Sequence, residues 1–287
     1  MIYLLKGLFL KKFLKYLFFV FLFLGTLVGL YACLIEPFRL VVTDYTVKTS
    51  KWNSDKPLKI ILLTDLHSIS PWMTPSHTQD IVDKANSLDP DVILLLGDYV
   101  GDTPFGKQIN PDEGVAPLKN LKSKCGTFAV LGNHDFFGPL GWPQALKRTG
   151  IPVLRNAAKK IDCDGQSFWV AGLDELWWGH SDITKTLAQV KDKNSVILAM
   201  HNPDSYPLTP ESVALSVAGH THGGQIRFPF IGSVPAVVPS KYGSRYDRGH
   251  FIEDGKDLVV SSGLGMTGIP LRFLCPPEIT VVTLSRE

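Results

Sequence analysis

The chain has 287 residues, of which 45% are hydrophobic and 20% are charged, and its formal net charge is +2. This composition is ordinary for a globular protein and excludes an intrinsically disordered chain. Residues 1–39 carry five basic residues and one acidic residue, so the rest of the chain sums to −2. That mild acidity does not indicate a basic groove, and we expect no nucleic acid partner.

An uncharged segment rich in Phe, Leu and Val covers residues 16–35. A helix of this length spans roughly 30 Å, which is the thickness of the hydrocarbon core of a bilayer. The segment is apolar on all sides, which favours a spanning helix over an interfacial one. The sequence therefore predicts a membrane anchor over residues 1–36. A cleaved signal peptide is the rival interpretation, but the apolar run is long for one and no small-x-small cleavage site follows it.

Positive charge is uneven around this segment. Four lysines precede it, whereas Arg39 and Lys48 follow it closely. The positive-inside rule then favours a cytoplasmic N-terminus and an exported soluble domain. Cys33, at the end of Leu-Tyr-Ala-Cys, faintly resembles a lipoprotein acylation site, although Tyr31 fits that pattern poorly.

Alternating strand and helix patterns begin at residue 58, after a connector with one strand at residues 37–57. The soluble domain is thus predicted to cover residues 58–287. Short apolar runs bounded by turn residues predict strands, and apolar residues at helical spacing predict helices. In the first half, strands are predicted at 58–64, 91–96 and 127–131, and helices at 78–88, up to 122, and at 141–149. This order is typical of an α/β domain with parallel strand pairs.

The second half continues with apolar runs but fewer helical patterns. Strands are predicted at 167–171, 195–200 and 213–218, with a helix at 183–190. Two further runs, 258–262 and 279–284, are expected to supply antiparallel strands to a second sheet. The sequence therefore predicts one domain in which two packed sheets are flanked by helices.

Five polar blocks follow predicted strand ends. They are Asp65-Leu66-His67, Gly97-Asp98, Gly132-Asn133-His134-Asp135, His201-Asn202-Pro203-Asp204 and Gly219-His220-Thr221-His222. Each block alone is common as a turn, but five at strand ends are improbable as unrelated turns. Loops at one edge of a sheet converge in space, and imidazole with carboxylate suits Mn, Fe, Zn or Co. The pattern therefore predicts a two-metal hydrolytic centre in which two neighbouring sites share the Asp98 carboxylate.

These blocks resemble the motifs of the calcineurin-like metallophosphoesterases over residues 58–284. The resemblance implies a four-layer αββα sandwich, two divalent ions per chain with Mn expected first, and a catalytic rather than ligating role for His134. It also implies the ligand sets: Asp65, His67 and His222 for one ion, Asn133, His201 and His220 for the other, and Asp98 as the bridge.

The likeness is greatest to a single-anchor bacterial branch of that family. It rests on the block that begins at His201, the sequence Gly-His-Thr-His-Gly-Gly-Gln from Gly219, and the tail from Gly263-Leu264-Gly265 to Cys275-Pro276-Pro277-Glu278. Such a protein would lie in the bacterial inner membrane. Some members resemble hydrolases of UDP-2,3-diacylglucosamine, and others act on lipid or cell-envelope phosphodiesters or have no settled substrate. A phosphorylated small molecule or lipid is thus the expected substrate. A UDP-lipid would require the domain on the cytoplasmic face, against the lysine bias.

Other side chains are weaker candidates. Asp135 either orients His134 for general acid catalysis or is a turn residue. Trp177 and Trp178 either line the substrate pocket or pack and cap a loop. Arg272 is a candidate phosphate contact, as are Arg245 and Arg248, against the alternative of solvated arginines.

Four cysteines lie without Cys-x-x-Cys spacing: Cys33, Cys125, Cys163 and Cys275. We expect small buried apolar residues, with a disulfide left open and no pair assigned.

Three other functions are alternatives to this interpretation. A metallo-β-lactamase-like hydrolase would need a His-x-His-x-Asp-His cluster, whereas Gly223 and Gly224 follow His222. A general or cyclic-nucleotide phosphodiesterase would share the fold, as would an inactive metal-binding scaffold. An inactive scaffold could lose any of the seven ligand candidates without unfolding, so the presence of all seven argues against it.

Overall fold

A computed structural model describes residues 2–137 and 141–287. It begins with helix α1 (Ile2–Leu34), which is 33 residues and therefore about 50 Å long. The side chains of residues 11–30 are exposed. By length and composition the helix is a candidate to cross a membrane.

The remaining elements alternate between strands and short helices. The other helices are α2 (Pro75–Ser87), α3 (Pro111–Val115), α4 (His134–Phe137), α5 (Trp142–Arg148) and α6 (Ile183–Leu187). The strands are β1 (Val41–Lys48), β2 (Leu58–Leu63), β3 (Ile69–Ser70), β4 (Val92–Leu95), β5 (Lys107–Gln108), β6 (Thr127–Ala129), β7 (Ala157–Cys163), β8 (Gln166–Gly172), β9 (Val196–Ala199), β10 (Leu215–Ala218), β11 (Arg227–Phe228), β12 (Gly232–Ser233), β13 (Gly249–Glu253), β14 (Lys256–Val260) and β15 (Glu278–Ser285).

Two large mixed sheets form the centre of the domain. The first has the order β1-β15-β2-β4-β6 and the second β13-β14-β10-β9-β8-β7. Strands β2, β4 and β6 run parallel to one another, as do β8, β9, β10 and β14. The α/β class and the N-terminal apolar helix predicted from the sequence are confirmed.

The C-terminal strands differ from the expectation. Strand β15 joins the first sheet between β1 and β2, parallel to β1 and antiparallel to β2. Strand β14 is in the second sheet but runs parallel to β10. Strand β1 falls inside residues 37–57, where a connector with one strand was predicted, and it forms an edge of the first sheet. Periodicity reports burial but not pairing partners, which is why these placements could not be read from it.

Alternating side chains of the strands divide the core into three layers. On β2, Ile60 and Leu62 face the second sheet, whereas Ile61 and Leu63 face helices α2 and α5. On the second sheet, Ile197 faces the first sheet and Leu198 packs in the outer cluster beside α6. Helices therefore cover the outer face of each sheet, which gives the four layers.

This topology brings the polar loops together. The parallel strands β2, β4, β6, β9 and β10 each end at one of the predicted metal-binding blocks. Because the carboxyl ends of parallel strands lie at one edge of a sheet, blocks from both sheets meet at the same edge of the sandwich.

Candidate metal centre

Among the described residues, potential metal ligands gather into three groups. One comprises His67, Asp102 and His134, and the other two, here called the first and the second group, share one carboxylate. In the first group the ligand atoms lie within 4.8 Å of one another, and its members are Asp65, His67, Asp98 and His222. The second group meets the same limit with Asp98, His201 and His220. Asn133 adjoins the second group, since its Oδ1 lies 3.0 Å from His201 Nε2. The structure thus brings all seven residues predicted as ligands into one buried cluster.

Asp98 lies between the two groups. Its Oδ2 is 3.1 Å from His201 Nε2 and 3.5 Å from His67 Nε2. Its Oδ1 accepts the backbone N–H of His134 at 2.9 Å. One carboxylate oxygen is therefore fixed by the backbone while the other faces both groups, as a bridging ligand requires.

Backbone carbonyls orient two of the imidazoles. Nδ1 of His67 lies 2.9 Å from the Val100 carbonyl, and Nδ1 of His201 lies 2.7 Å from the Leu96 carbonyl. A carbonyl only accepts, so each Nδ1 carries the proton that it donates. In the neutral ring this leaves Nε2 with a free electron pair directed at the cluster, which is the usual arrangement of a metal-bound histidine.

Electron-pair donors face one another across the first group. His67 Nε2 lies 3.1 Å from His222 Nε2, which is 3.5 Å from Asp65 Oδ1. Burial, together with the charge of His134, lowers the pKa of His67 to about 4, so this ring is neutral at physiological pH. Such a set of donors repels itself unless a cation lies among them, and the residues therefore fit a divalent metal ion.

In the second group the two imidazoles have pKa values shifted in opposite directions. Burial lowers the pKa of His201, but the adjacent Asp98 carboxylate more than reverses this and raises it to about 10. Burial and the charge on His201 lower the pKa of His220 to about 3. In the metal-free protein a proton thus occupies the space between His201 and Asp98. An ion that binds there must displace it, so metal binding releases a proton.

The loops hold the ligands in an uncommon backbone conformation. Five ligand candidates have a positive φ between 45° and 72°, namely Asp65, His67, Asp98, His220 and His222. Non-glycine residues adopt this region rarely and at a cost of about 1–3 kcal/mol each, typically at functional sites. There is no room for a side chain at Gly132, because a Cβ at this position would overlap the carboxylate of Asp98. A larger residue there would move the shared ligand.

His134 lies beside the first group and is partly exposed. Its ring makes an edge contact with His67 at a centroid distance of 4.7 Å, and its Nδ1 is 3.1 Å from Asp102 Oδ2. Thr267 donates to the other oxygen of Asp102 at 3.1 Å. Asp102 was not singled out from the sequence, although its position four residues after Asp98, in the same loop, is a signal that could have found it.

The Asp135 carboxylate is directed at backbone N–H groups of two ligand loops. Its carboxylate accepts backbone N–H groups of Gly132, Asp98 and Tyr99 at 2.9–3.0 Å. These bonds tie the loop after β4 to the loop after β6. The structure therefore places Asp135 as a brace between two ligand loops, which corresponds to the turn alternative.

The two tryptophans follow β8 in a loop that reaches the site. Backbone N–H groups of Trp177 and Trp178 donate to Glu175 Oε2 at 2.7 and 2.6 Å. The Trp177 ring makes an edge contact with His220 at a centroid distance of 4.6 Å, and 47% of its surface remains exposed. Trp178 is 60% exposed. Trp177 thus borders the second group with a face open to solvent.

Arg272 does not fit the predicted substrate contact. It is fully buried, and its guanidinium donates to the carbonyl groups of Ser262, Gly263 and Gly265. A buried cation satisfied by backbone carbonyls braces a loop and is closed to substrate. Arg245, considered with it, is exposed and pairs with Glu253.

Pairings of two other residue types were not assigned from the sequence. Cys125 and Cys163 form a disulfide; the sequence leaves a disulfide open without assigning the pair. His250 Nε2 lies 2.8 Å from Asp257 Oδ1. The two cysteines are 38 residues apart, so only the fold shows their pairing.

Comparison with known proteins agrees with this geometry. Residues 58–224 match the model of the family described as calcineurin-like phosphoesterase. The chain belongs to this family. It is 35% identical over 260 residues to the metallophosphoesterase YkuE of Bacillus subtilis, a match that covers 88% of both chains.

Two further relatives are similar over most of this chain. The phosphodiesterase YaeI of Escherichia coli is 34% identical, covering 79% of this chain and 82% of the relative. A transmembrane protein with a metallophosphoesterase domain from Danio rerio is 30% identical, covering 80% of this chain and 53% of the relative. The predicted enzyme class is confirmed, and the protein is a metallophosphoesterase with a buried metal-binding site.

Proposed function

We propose that the protein is a membrane-anchored phosphohydrolase that uses two divalent ions to cleave a phosphodiester or pyrophosphate bond in a lipid-linked or cell-envelope substrate. The observation that carries the proposal is the pair of ligand groups joined by Asp98. A phosphodiester is favoured over other esters because a relative that shares most of the chain is named a phosphodiesterase.

The donor set suggests the metals and their assignment. Asp65, His67 and His222 would hold one ion, and Asn133, His201 and His220 the other. Imidazole, carboxylate and amide oxygen suit Mn, Fe, Zn or Co, and the family resemblance favours Mn. When bound, two such ions supply a water of lowered pKa and neutralise the charge on phosphate oxygens.

Residues of the chain would complete the chemistry. Asp102 holds Nδ1 of His134, which leaves Nε2 to donate a proton to the leaving oxygen, and a general acid of this kind contributes about 10²- to 10⁴-fold. Trp177 would present its exposed face to the part of the substrate beyond the phosphate. Asp135 would act only by positioning the ligand loops.

Two independent features favour an extracytoplasmic domain. Four lysines precede the apolar segment, which favours an extracytoplasmic domain in a single-pass inner-membrane protein. The disulfide between Cys125 and Cys163 favours the same side, since disulfides persist in oxidising compartments. UDP-2,3-diacylglucosamine, which is made on the cytoplasmic side, would require the opposite orientation.

Hydrolysis of a defined substrate panel tests the proposal. Full-length protein in vesicles, loaded with Mn²⁺, is offered phospholipids, UDP-2,3-diacylglucosamine, cyclic nucleotides and an aryl phosphodiester, and products are identified by mass spectrometry. We expect cleavage of a lipid-borne substrate, with Asp98→Ala inactive.

Two results would contradict the proposal. Preference for cyclic nucleotides over every lipid would indicate a soluble substrate. Loaded protein that cleaves nothing would indicate a binding scaffold. Protease accessibility of the domain in intact cells tests the orientation separately.

A further inference from the structure

The end of α1 is hydrogen-bonded directly to the catalytic domain. The Ala32 carbonyl accepts the backbone N–H of Arg272, and the Glu36 carboxylate accepts that of Cys275, both at 3.0 Å. Ala32 and Glu36 are buried. Because the uncharged segment extends to residue 35, no polar spacer separates the apolar helix from the domain. If α1 spans a bilayer, these contacts lie at its surface.

An apolar hairpin lies next to this contact. The segment that bonds α1 also bonds the start of the hairpin β11–β12, through Arg227 N–H to the Phe273 carbonyl at 2.8 Å and Phe273 N–H to the Gln225 carbonyl at 3.0 Å. A single segment, residues 272–275, is therefore hydrogen-bonded to both the end of α1 and the base of the hairpin.

Exposed apolar side chains concentrate on these neighbouring segments. Residues 228–240 contain no charge. Phe230 at the hairpin tip is 109% exposed and Ile231 is 76% exposed. We call the exposed set the apolar platform; it comprises Phe228, Phe230, Ile231, Val237, Ile269 and Leu274. Contiguous exposed apolar surface marks an interaction site.

We propose that the apolar platform inserts into the interfacial region of the same bilayer that α1 spans, an inference that rests on the proposed membrane association. The bilayer is favoured as the occupant because the platform is continuous with the apolar helix through Arg272–Cys275. Phe, Ile and Leu side chains are those that enter the boundary between headgroups and acyl chains.

The platform places the metal centre at the membrane surface. Arg227, at the base of the hairpin, donates to the Gly223 carbonyl at 2.8 Å, and Gly223 directly follows His222. A substrate whose phosphate lies in the headgroup region could then reach the site without leaving the bilayer. The platform therefore selects phosphodiesters of lipids over soluble ones.

Depth-dependent quenching tests the insertion without relying on turnover. Phe230→Trp is compared with Ile252→Trp in full-length protein, in vesicles with or without brominated phosphatidylcholine. Ile252 is a matched control because it is 67% exposed but lies at the other end of the domain. It is near the turn at Gly255, whose carbonyl accepts a hydrogen bond from Lys51 Nζ, and Lys51 follows the end of β1 that is remote from α1. The emission added by the tryptophan should be quenched at 230 and not at 252.

Each other outcome overturns the inference. Absence of quenching at position 230 shows that the platform lies outside the bilayer, and equal quenching at both positions shows that the contact with lipid is not specific to the platform. Blue-shifted emission at 230 without quenching shows that a second copy of the chain covers it. If wild-type protein fails to float with vesicles, the membrane anchor is refuted as well. If only the proposed function is wrong, the tryptophan at position 230 is still quenched but no substrate is hydrolysed.

A double substitution links the platform to substrate choice. Phe230→Ser with Ile231→Ser should lower hydrolysis of a vesicle-borne phosphodiester about tenfold, the shift expected when roughly one apolar side chain's burial is lost. Hydrolysis of a soluble aryl phosphodiester should not change, and Ile252→Ser should affect neither. An equal loss on both substrates would mean that the hairpin only supports the fold.

Discussion

Asp98→Asn perturbs both ion sites through one atom. Oδ1 of Asp98 accepts the His134 N–H at 2.9 Å, so the Asn oxygen keeps that contact and its Nδ2 replaces Oδ2. The amide then presents N–H groups to His201 Nε2 and His67 Nε2, which lie 3.1 and 3.5 Å from the replaced oxygen. Both sites lose a ligand atom, while the side chain keeps its volume beside Gly132.

The electrostatic loss can be sized. A pair of unit charges 4 Å apart interacts by about 4 kcal/mol at an effective dielectric of 20, so a divalent ion loses about 8 kcal/mol when the carboxylate becomes neutral. If favourable relaxation recovers half, about 4 kcal/mol remains, which corresponds to a thousandfold weaker metal affinity at each site. Turnover should fall at least as far, because both ions act on the same phosphate.

Metal titration and hydrolysis of an aryl phosphodiester measure these losses after chelation and reloading with Mn²⁺. Wild type should bind two ions per chain, and Asp98→Asn should bind neither at concentrations that saturate wild type. Asp162→Asn, on an exposed position of β7, is the control and should behave as wild type. Two tightly bound ions with near-normal turnover in Asp98→Asn would refute the shared-ligand assignment.

Three further outcomes are expected. His134→Gln should lower kcat by about 10²- to 10⁴-fold while two ions stay bound; metal analysis distinguishes this from loss of a ligand. Burial opposes ionisation of Asp174, but the hydrogen bond from Arg155 outweighs it and lowers the pKa of this carboxyl. The stability that the pair adds should therefore be present above about pH 4 and vanish as pH falls through the folded-state pKa, which thermal melts of Asp174→Asn against wild type would show. Replacing Cys125 and Cys163, 38 residues apart, by Ala should lower the free energy of unfolding by about 4 kcal/mol in denaturant titrations, and no change would mean that the bond does not form.

The positions of the ligand candidates could be predicted because strand ends are local signals. The runs before Asp65, Asp98 and His201 are short, apolar and followed by turn residues, and a parallel sheet brings such ends to one edge. The sequence pattern could not show that β15 inserts between β1 and β2, since pairing is decided by packing across the whole sheet. The prediction of the site depended only on the local signals at the strand ends, not on the pairing of the strands.

Residues that act through other residues were harder to predict. Asp102 contacts His134 across 32 positions of sequence, and the Arg272 guanidinium finds carbonyls in a loop that has no regular structure. Arginine in a phosphate-binding protein suggests a phosphate contact, yet its burial depends on tertiary contacts that periodicity does not report. The same limit explains Asp135, whose carboxylate is directed at backbone N–H groups rather than at His134.

Each of the two ligand groups that share Asp98 contains residues from both sheets, so the sandwich positions the ligands in addition to stabilising the fold. In the first group His222 comes from the second sheet and its companions from the first; in the second group Asp98 comes from the first sheet, and His201 and His220 from the second. Neither sheet alone supplies a complete site. Because the positive φ values at the ligands disfavour these loops in isolation, the packing between the sheets must hold them in place before an ion arrives. The inter-sheet core is therefore what preorganises the metal centre.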